Sequence, residues 1–154
     1  MKELIVIIDV SGSMYAMGKV SVVGNVLSTL SALENLGDET EKISLTKMQW
    51  DGTCEEFEKV TEKCSGNNIL LLTDGYALSD NCITSRVAKS FLEENRDNFF
   101  VILCGGDAMN ICAVKQFRNV RAVNADNVLY AVESLFSADS SAENKTEEFG
   151  DSWA

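Results

Sequence analysis

The chain has 154 residues, 45% of them hydrophobic, and a net charge of −11 at neutral pH. That is one domain's worth of chain with enough apolar side chains for a real core, and it contains no run of about 18 apolar residues that would span a membrane. The acidity argues against nucleic acid and anionic membrane surfaces, which demand a basic face, and leaves basic partners or a metal cation as the natural complement.

Leu4-Ile5-Val6-Ile7-Ile8 is an unbroken apolar run, the pattern of a strand buried on both faces in a parallel sheet. Met1-Lys2-Glu3 leads straight into it without the layout of a signal peptide, so the expected location is the cytoplasm. The run ends in Asp9-Val10-Ser11-Gly12-Ser13. One carboxylate and two hydroxyls at alternating positions form a loop at a strand's carboxyl end, where open α/β sheets place their ligands. These are hard oxygen donors, suited to Mg²⁺ and unsuited to zinc. A plain reading of the same residues is a polar turn in which Ser11 or Ser13 caps the next helix.

From Met17 to Leu36, Val20, Val23, Val26, Leu27, Leu30, Leu33 and Leu36 recur at helical spacing, and Gly37 is the expected stop. The start of this helix directs its positive end at the Asp-Ser-Ser loop. Ile43 to Trp50 reads as a strand whose polar alternate positions suit a sheet edge. Asp51-Gly52-Thr53 is a turn, followed by Cys54, Phe57, Val60 and Cys64 at helical spacing. The alternative is an Asp51-Gly52 hairpin with Thr53 to Val60 as its second strand, which would bring Thr61 nearer the loop. Glu55, Glu56 and Glu58 break strand alternation and favour the helix.

Ile69 to Leu72 is a second buried strand, ending in Thr73-Asp74-Gly75. Asp74 reaches the same sheet edge as Asp9 if the two strands are neighbours. Two carboxylates brought together without a basic partner repel each other, and a bound dication removes that cost. Cys82 to Asn95 reads as a helix with Ile83, Val87 and Phe91 inward and Ser79 or Asp80 as cap. Phe99 to Leu103 lies in a third apolar strand, and Gly105-Gly106-Asp107 turns the chain. No Lys-Ser/Thr follows the glycines, so this is not a P-loop. A short helix over Met109 to Phe117 capped by Asp107, a strand over Val120 to Val123, and a last helix capped by Asp126 complete the order. From Ala138 the chain is acidic, small and polar, without periodicity, so residues 139–154 are expected to be a disordered tail, with Phe149 and Trp153 as isolated aromatics.

The five cysteines, Cys54, Cys64, Cys82, Cys104 and Cys112, match no zinc spacing and read as reduced thiols, mostly small core residues. Histidine is absent, which removes the commonest general base and any Ser-His-Asp or Cys-His arrangement.

Asp9-Val10-Ser11-Gly12-Ser13-Met14 after an apolar strand, paired with Leu70-Leu71-Leu72-Thr73-Asp74-Gly75, resembles a von Willebrand factor A (vWA) domain, over residues 3 to about 138. More narrowly it resembles the small bacterial cytoplasmic vWA proteins of tellurite-resistance and stress systems. The resemblance implies a three-layer, mostly parallel Rossmann-like α/β fold, here reduced in size. It also implies a metal-ion-dependent adhesion site (MIDAS) holding Mg²⁺ or Mn²⁺, with Asp9, Ser11, Ser13 and Asp74 as ligands. In that family a threonine ligand sits in a Gly-Thr turn that opens a helix, which places Thr53 in the set. The function implied is that of a non-enzymatic adaptor or scaffold whose metal binds an Asp or Glu of a partner protein. The alternative is a Mg²⁺-dependent phosphohydrolase with Asp9 as nucleophile. That chemistry wants a second Asp two residues on, where this chain has Ser11, which cannot serve as acid or base.

Overall fold

The computed structural model describes residues 2–36, 42–64 and 66–137. The expected tail, with Phe149 and Trp153, and the helix stop at Gly37 lie outside the described residues. Five strands, β1 (Lys2–Asp9), β2 (Ile43–Trp50), β3 (Asn68–Thr73), β4 (Phe99–Leu103) and β5 (Arg121–Asn124), form one sheet in the order β2-β1-β3-β4-β5. Every pairing is parallel. Parallel neighbours need crossovers, supplied here by α1 (Lys19–Glu34), α2 (Cys54–Cys64), α3 (Tyr76–Cys82), α4 (Arg86–Glu94) and the turns between β4 and β5. A last helix, α5, covers 128–137. The fold is therefore three-layered α/β and Rossmann-like, as expected.

Strand alternation divides the core in two. Ile5, Ile7, Ile69, Leu71, Phe99 and Val101 face the side covered by α2, α3 and α4, where Phe57, Leu78, Ala88 and Phe91 meet them. Leu4, Val6, Leu70, Leu72, Phe100 and Ile102 face α1 and α5, through Val26, Leu30, Val128 and Leu135. Burying each such side chain contributes about 1.5–3 kcal/mol. Both faces of β1 and β3 are thus apolar, which is why their sequences are continuous hydrophobic runs rather than alternating ones. Among the described residues β2 sits at the edge, paired with β1, and its half-polar sequence fits that place.

Several local expectations shift. Val20 and Leu36 are exposed, because α1 covers only Lys19 to Glu34 and presents Val26 and Leu30 to the sheet. The helix expected from Cys82 starts later: Cys82 is the last residue of α3, and α4 begins at Arg86, with Ser85, not Ser79 or Asp80, capping it by accepting from the Ala88 N–H. Val87 then faces out. Met109 to Phe117 forms two short 3₁₀ turns rather than a helix. Asp126 sits in a further 3₁₀ turn before α5, and Leu129 is exposed while Val128, Val132 and Leu135 are buried.

The chain passes from β1 to β2 on one side and then to β3 on the other side of β1. This is the point where strand order reverses, and it opens a crevice beyond the carboxyl ends of β1 and β3. Asp9 and Asp74 stand at that crevice.

Candidate functional site

β1 and β3 pair in a register that sets Ile8 opposite Leu72. One residue further, Asp9 therefore lies opposite Thr73, not Asp74. The Thr73 hydroxyl donates to Asp9 Oδ2 at 2.6 Å and accepts from the Gly75 N–H at 3.0 Å. The Ser11 N–H donates to Asp9 Oδ1 at 2.8 Å. Asp9 is buried, yet both bonds come from neutral donors, and among the described residues no ion pair involves it. A buried carboxylate held only by neutral groups is costly unless something else shares its charge.

Ser11 begins the loop but caps nothing: no side-chain bond closes the 3₁₀ turn Gly12–Tyr15 that follows it. Its hydroxyl is buried and, among the described residues, has no hydrogen-bond partner. Gly52 presses against it. A Cβ on Gly52 would come within 2.6 Å of Ser11 Cβ, and φ there is +92°, a region that favours glycine. Gly52→Ala is therefore expected to cost about 1–3 kcal/mol. A urea midpoint equal to that of the unaltered chain would contradict this packing.

The same turn carries Thr53. Its N–H and hydroxyl both donate to Asp51 Oδ1, at 2.9 and 2.7 Å, and its oxygen accepts from the Glu56 N–H at 3.2 Å to cap α2. The Thr53 N–H and O–H hold the Asp51 carboxyl below its ordinary range. Thr61 lies within α2, buried, with its hydroxyl donating to the Phe57 carbonyl at 2.8 Å. The stretch is thus the expected helix, and the hairpin reading that favoured Thr61 is set aside. Thr53 stands next to Ser11 through Gly52, with its hydroxyl engaged in the turn.

Asp74 has the basic partner that the sequence reading assigned to none. Lys19, in the first turn of α1, is 1% exposed and places Nζ 3.0 Å from Asp74 Oδ2, itself 0% exposed. The same ammonium lies 3.0 Å from Asp107 Oδ1, in the turn after β4, and 3.3 Å from the Ser13 carbonyl. Tyr76 completes the surroundings. Its N–H donates to Asp74 Oδ1, its hydroxyl to the Asp107 carbonyl at 2.7 Å, and its ring centroid is 5.7 Å from Nζ. Burial pulls the Lys19 ammonium down, but the hydrogen bonds and charges of Asp107 and Asp74 outweigh it, and the net shift is upward. Gly105 makes the room: with φ at +110°, a Cβ there would meet Lys19 Cε at 2.8 Å. A cation in the first turn of a helix opposes the helix dipole, and these two carboxylates offset that.

The edge thus carries three carboxylates, Asp9, Asp74 and Asp107, against one ammonium. Asp9 follows the strand positions that face α2 and α3, whereas Asp74 binds a side chain of α1. Ser13 meets the cluster through its carbonyl. Met14 is buried, while Tyr15 and Met17 are 67% and 74% exposed on the rim. Lys19, Thr73 and Asp107 are the three contributors that motif reading passed over.

No helix of the described residues is long and apolar enough to cross a membrane. Comparison with protein-family models, curated proteins and solved structures returns no match.

Proposed function

We propose that the chain is a metal-dependent protein-binding module of the vWA type, with Mg²⁺ or Mn²⁺ held at the carboxyl edge of β1. The observation that carries this reading is the pairing of Asp9, buried without a cationic partner, with the orphaned buried hydroxyl of Ser11. A hard dication satisfies both at once, and the donor chemistry fits it. When bound, it offers a coordination position to the carboxylate of a partner's Asp or Glu. Asp9 and Ser11 are the direct holders, with Ser13 beside them on the same loop. Thr53 contributes from the rim, its hydroxyl being shared with Asp51. Asp74 contributes negative charge at the edge, since Lys19 and the Tyr76 N–H occupy its oxygens. The exposed Tyr15 and Met17 frame the entrance and suit a carboxylate that arrives with an apolar neighbour. An adaptor role in a bacterial stress-response assembly is the extension of this reading.

The phosphohydrolase alternative draws less support. Ser11 stands where an acid/base carboxylate is needed, and the Lys19 ammonium is occupied by two carboxylates. An upward-shifted Lys19 stays protonated at neutral pH and cannot act as base.

The test is capture of partners from host lysate on immobilised chain, with wild type and Asp9→Ala compared in Mg²⁺ and in EDTA. A specific partner should be retained by wild type in Mg²⁺ and lost in the other three conditions. Direct calorimetric titration of Mg²⁺ should give heat with wild type and none with Asp9→Ala. Retention indifferent to both changes, with no binding heat, would remove the metal from the function.

A further inference from the structure

The amino edge of the sheet, opposite the candidate site, carries a basic cleft in an acidic protein. α4 runs back from the carboxyl edge and ends at Glu94, and the 3₁₀ turn Lys115–Phe117 leads through Val120 into β5. Where the two meet, a cleft of about 580 Å³ is lined by the cations Lys89, Arg96, Lys115 and Arg118, with Glu93 as the one carboxylate among them. Leu92 and Val120 form its apolar floor. The whole chain has 13 Lys and Arg against 24 Asp and Glu, so the cleft reverses the protein's own balance of charge. All of these cations are exposed, and among the described residues none of them is in an ion pair. Cations elsewhere are placed differently. Lys59 pairs with Glu55, Arg86 shares its groove with Glu58, Glu62 and Glu94, and Arg121 donates to the Asp97 carbonyl. Like charges around one concavity repel each other, and an anionic occupant relieves that.

The chain itself supplies such an occupant. α5 brings the backbone to the same edge: the Phe136 ring centroid is 5.3 Å from the ammonium of Lys2, the first residue of β1. Residues 138–154 follow, with Asp139, Glu143, Glu147, Glu148 and Asp151 against Lys145. The cleft belongs to the other face of the sheet, with the side chains that pack on α4. At full stretch residues 138–154 reach about 56 Å, and a small domain is about 30 Å across, so the cleft is within their range. Phe149 and Trp153 stand beside the acids in sequence, and an aromatic ring suits arginine as well as an apolar floor. We propose that the acidic segment 139–154 docks in this cleft of its own chain, its carboxylates against Lys89, Arg96, Lys115 and Arg118. A tethered segment acts at an effective concentration in the millimolar range, so ion pairs that are individually weak suffice. The docked segment closes the cleft to acidic segments of other proteins. It leaves the opposite edge, with Asp9 and Ser11, open, and its docking does not depend on the metal reading.

The full chain at low ionic strength is treated with a water-soluble carbodiimide, which condenses a lysine amine with a carboxylate in contact with it. Products are separated by size and mapped by mass spectrometry. The monomer should carry amide bridges from Lys89 or Lys115 to Glu143, Glu147, Glu148 or Asp151. Their yield should fall several-fold in about 1 M salt, where charges are screened beyond about 3 Å. It should fall likewise in the double variant Arg96→Ser with Arg118→Ser, which keeps both lysines and alters only exposed side chains. A monomer without such bridges, bridges confined to dimers, bridges spread equally over Lys47, Lys59 and Lys63, or a yield indifferent to salt and to the arginine pair would each overturn the proposal.

Discussion

Lys19→Met is expected to destabilise the fold by about 3–5 kcal/mol, the cost of removing one partner from a buried ion pair. The loss is not the attraction between Lys19 and Asp74 alone. Asp74 is 0% exposed and would be left with no cation to face, while Asp107 at 34% exposure is partly relieved by water. Chemical denaturation should show the drop as a lower midpoint at unchanged slope. The double substitution Lys19→Met with Asp74→Asn should recover much of it, since the orphaned charge is then gone. If both variants unfold at the wild-type midpoint, the cluster contributes nothing. The pH dependence has a definite sign. The Lys19 pKa is raised in the folded state, so its contribution is complete below its ordinary value of 10.5 and is lost only as pH climbs through the higher folded value. The wild-type advantage over Lys19→Met should therefore be flat between pH 7 and 9 and shrink under strong alkali.

Divalent metal is expected to give the second-largest effect. A ligand that binds only the folded state adds RT ln(1 + [L]/Kd), about 2.7 kcal/mol at a hundredfold excess over Kd. The expected gain at Asp9 has two sources, a buried carboxylate whose hydrogen-bond partners are all neutral and the orphaned Ser11 hydroxyl. Thermal unfolding in EDTA and then in millimolar Mg²⁺ or Mn²⁺ should show a rise in midpoint that Asp9→Asn abolishes. Asp74→Asn should leave most of the rise in place, because Lys19 and the Tyr76 N–H already occupy the Asp74 oxygens, although its own stability will differ. Equal midpoints with and without metal would count against the site. A rise lost equally in both variants would instead make Asp74 a direct ligand.

Much of the architecture follows from local pattern. The apolar runs Leu4 to Ile8, Ile69 to Leu72 and Phe99 to Leu103 announce strands buried on two faces, and helical spacing between them announces crossovers. A parallel sheet with Asp9 and Asp74 at one edge comes from those features alone, because strand direction and the end at which a motif falls are local properties. Helix boundaries around Cys82 were harder to place, since Ser85 competes with Ser79 and Asp80 as a cap and only packing chooses among them.

The residues around the two carboxylates depended on tertiary structure. The β1–β3 register decides that Asp9 meets Thr73, and a register between positions 64 apart in sequence leaves no trace in either strand's own alternation. Lys19 reads as an ordinary surface lysine in an amphipathic helix. Its burial rests on Asp74 and Asp107, 55 and 88 positions away, and on the missing side chain of Gly105. Charge compensation of this kind is a property of the folded edge, so the sequence could place two acids there but could not say which of them already has its cation.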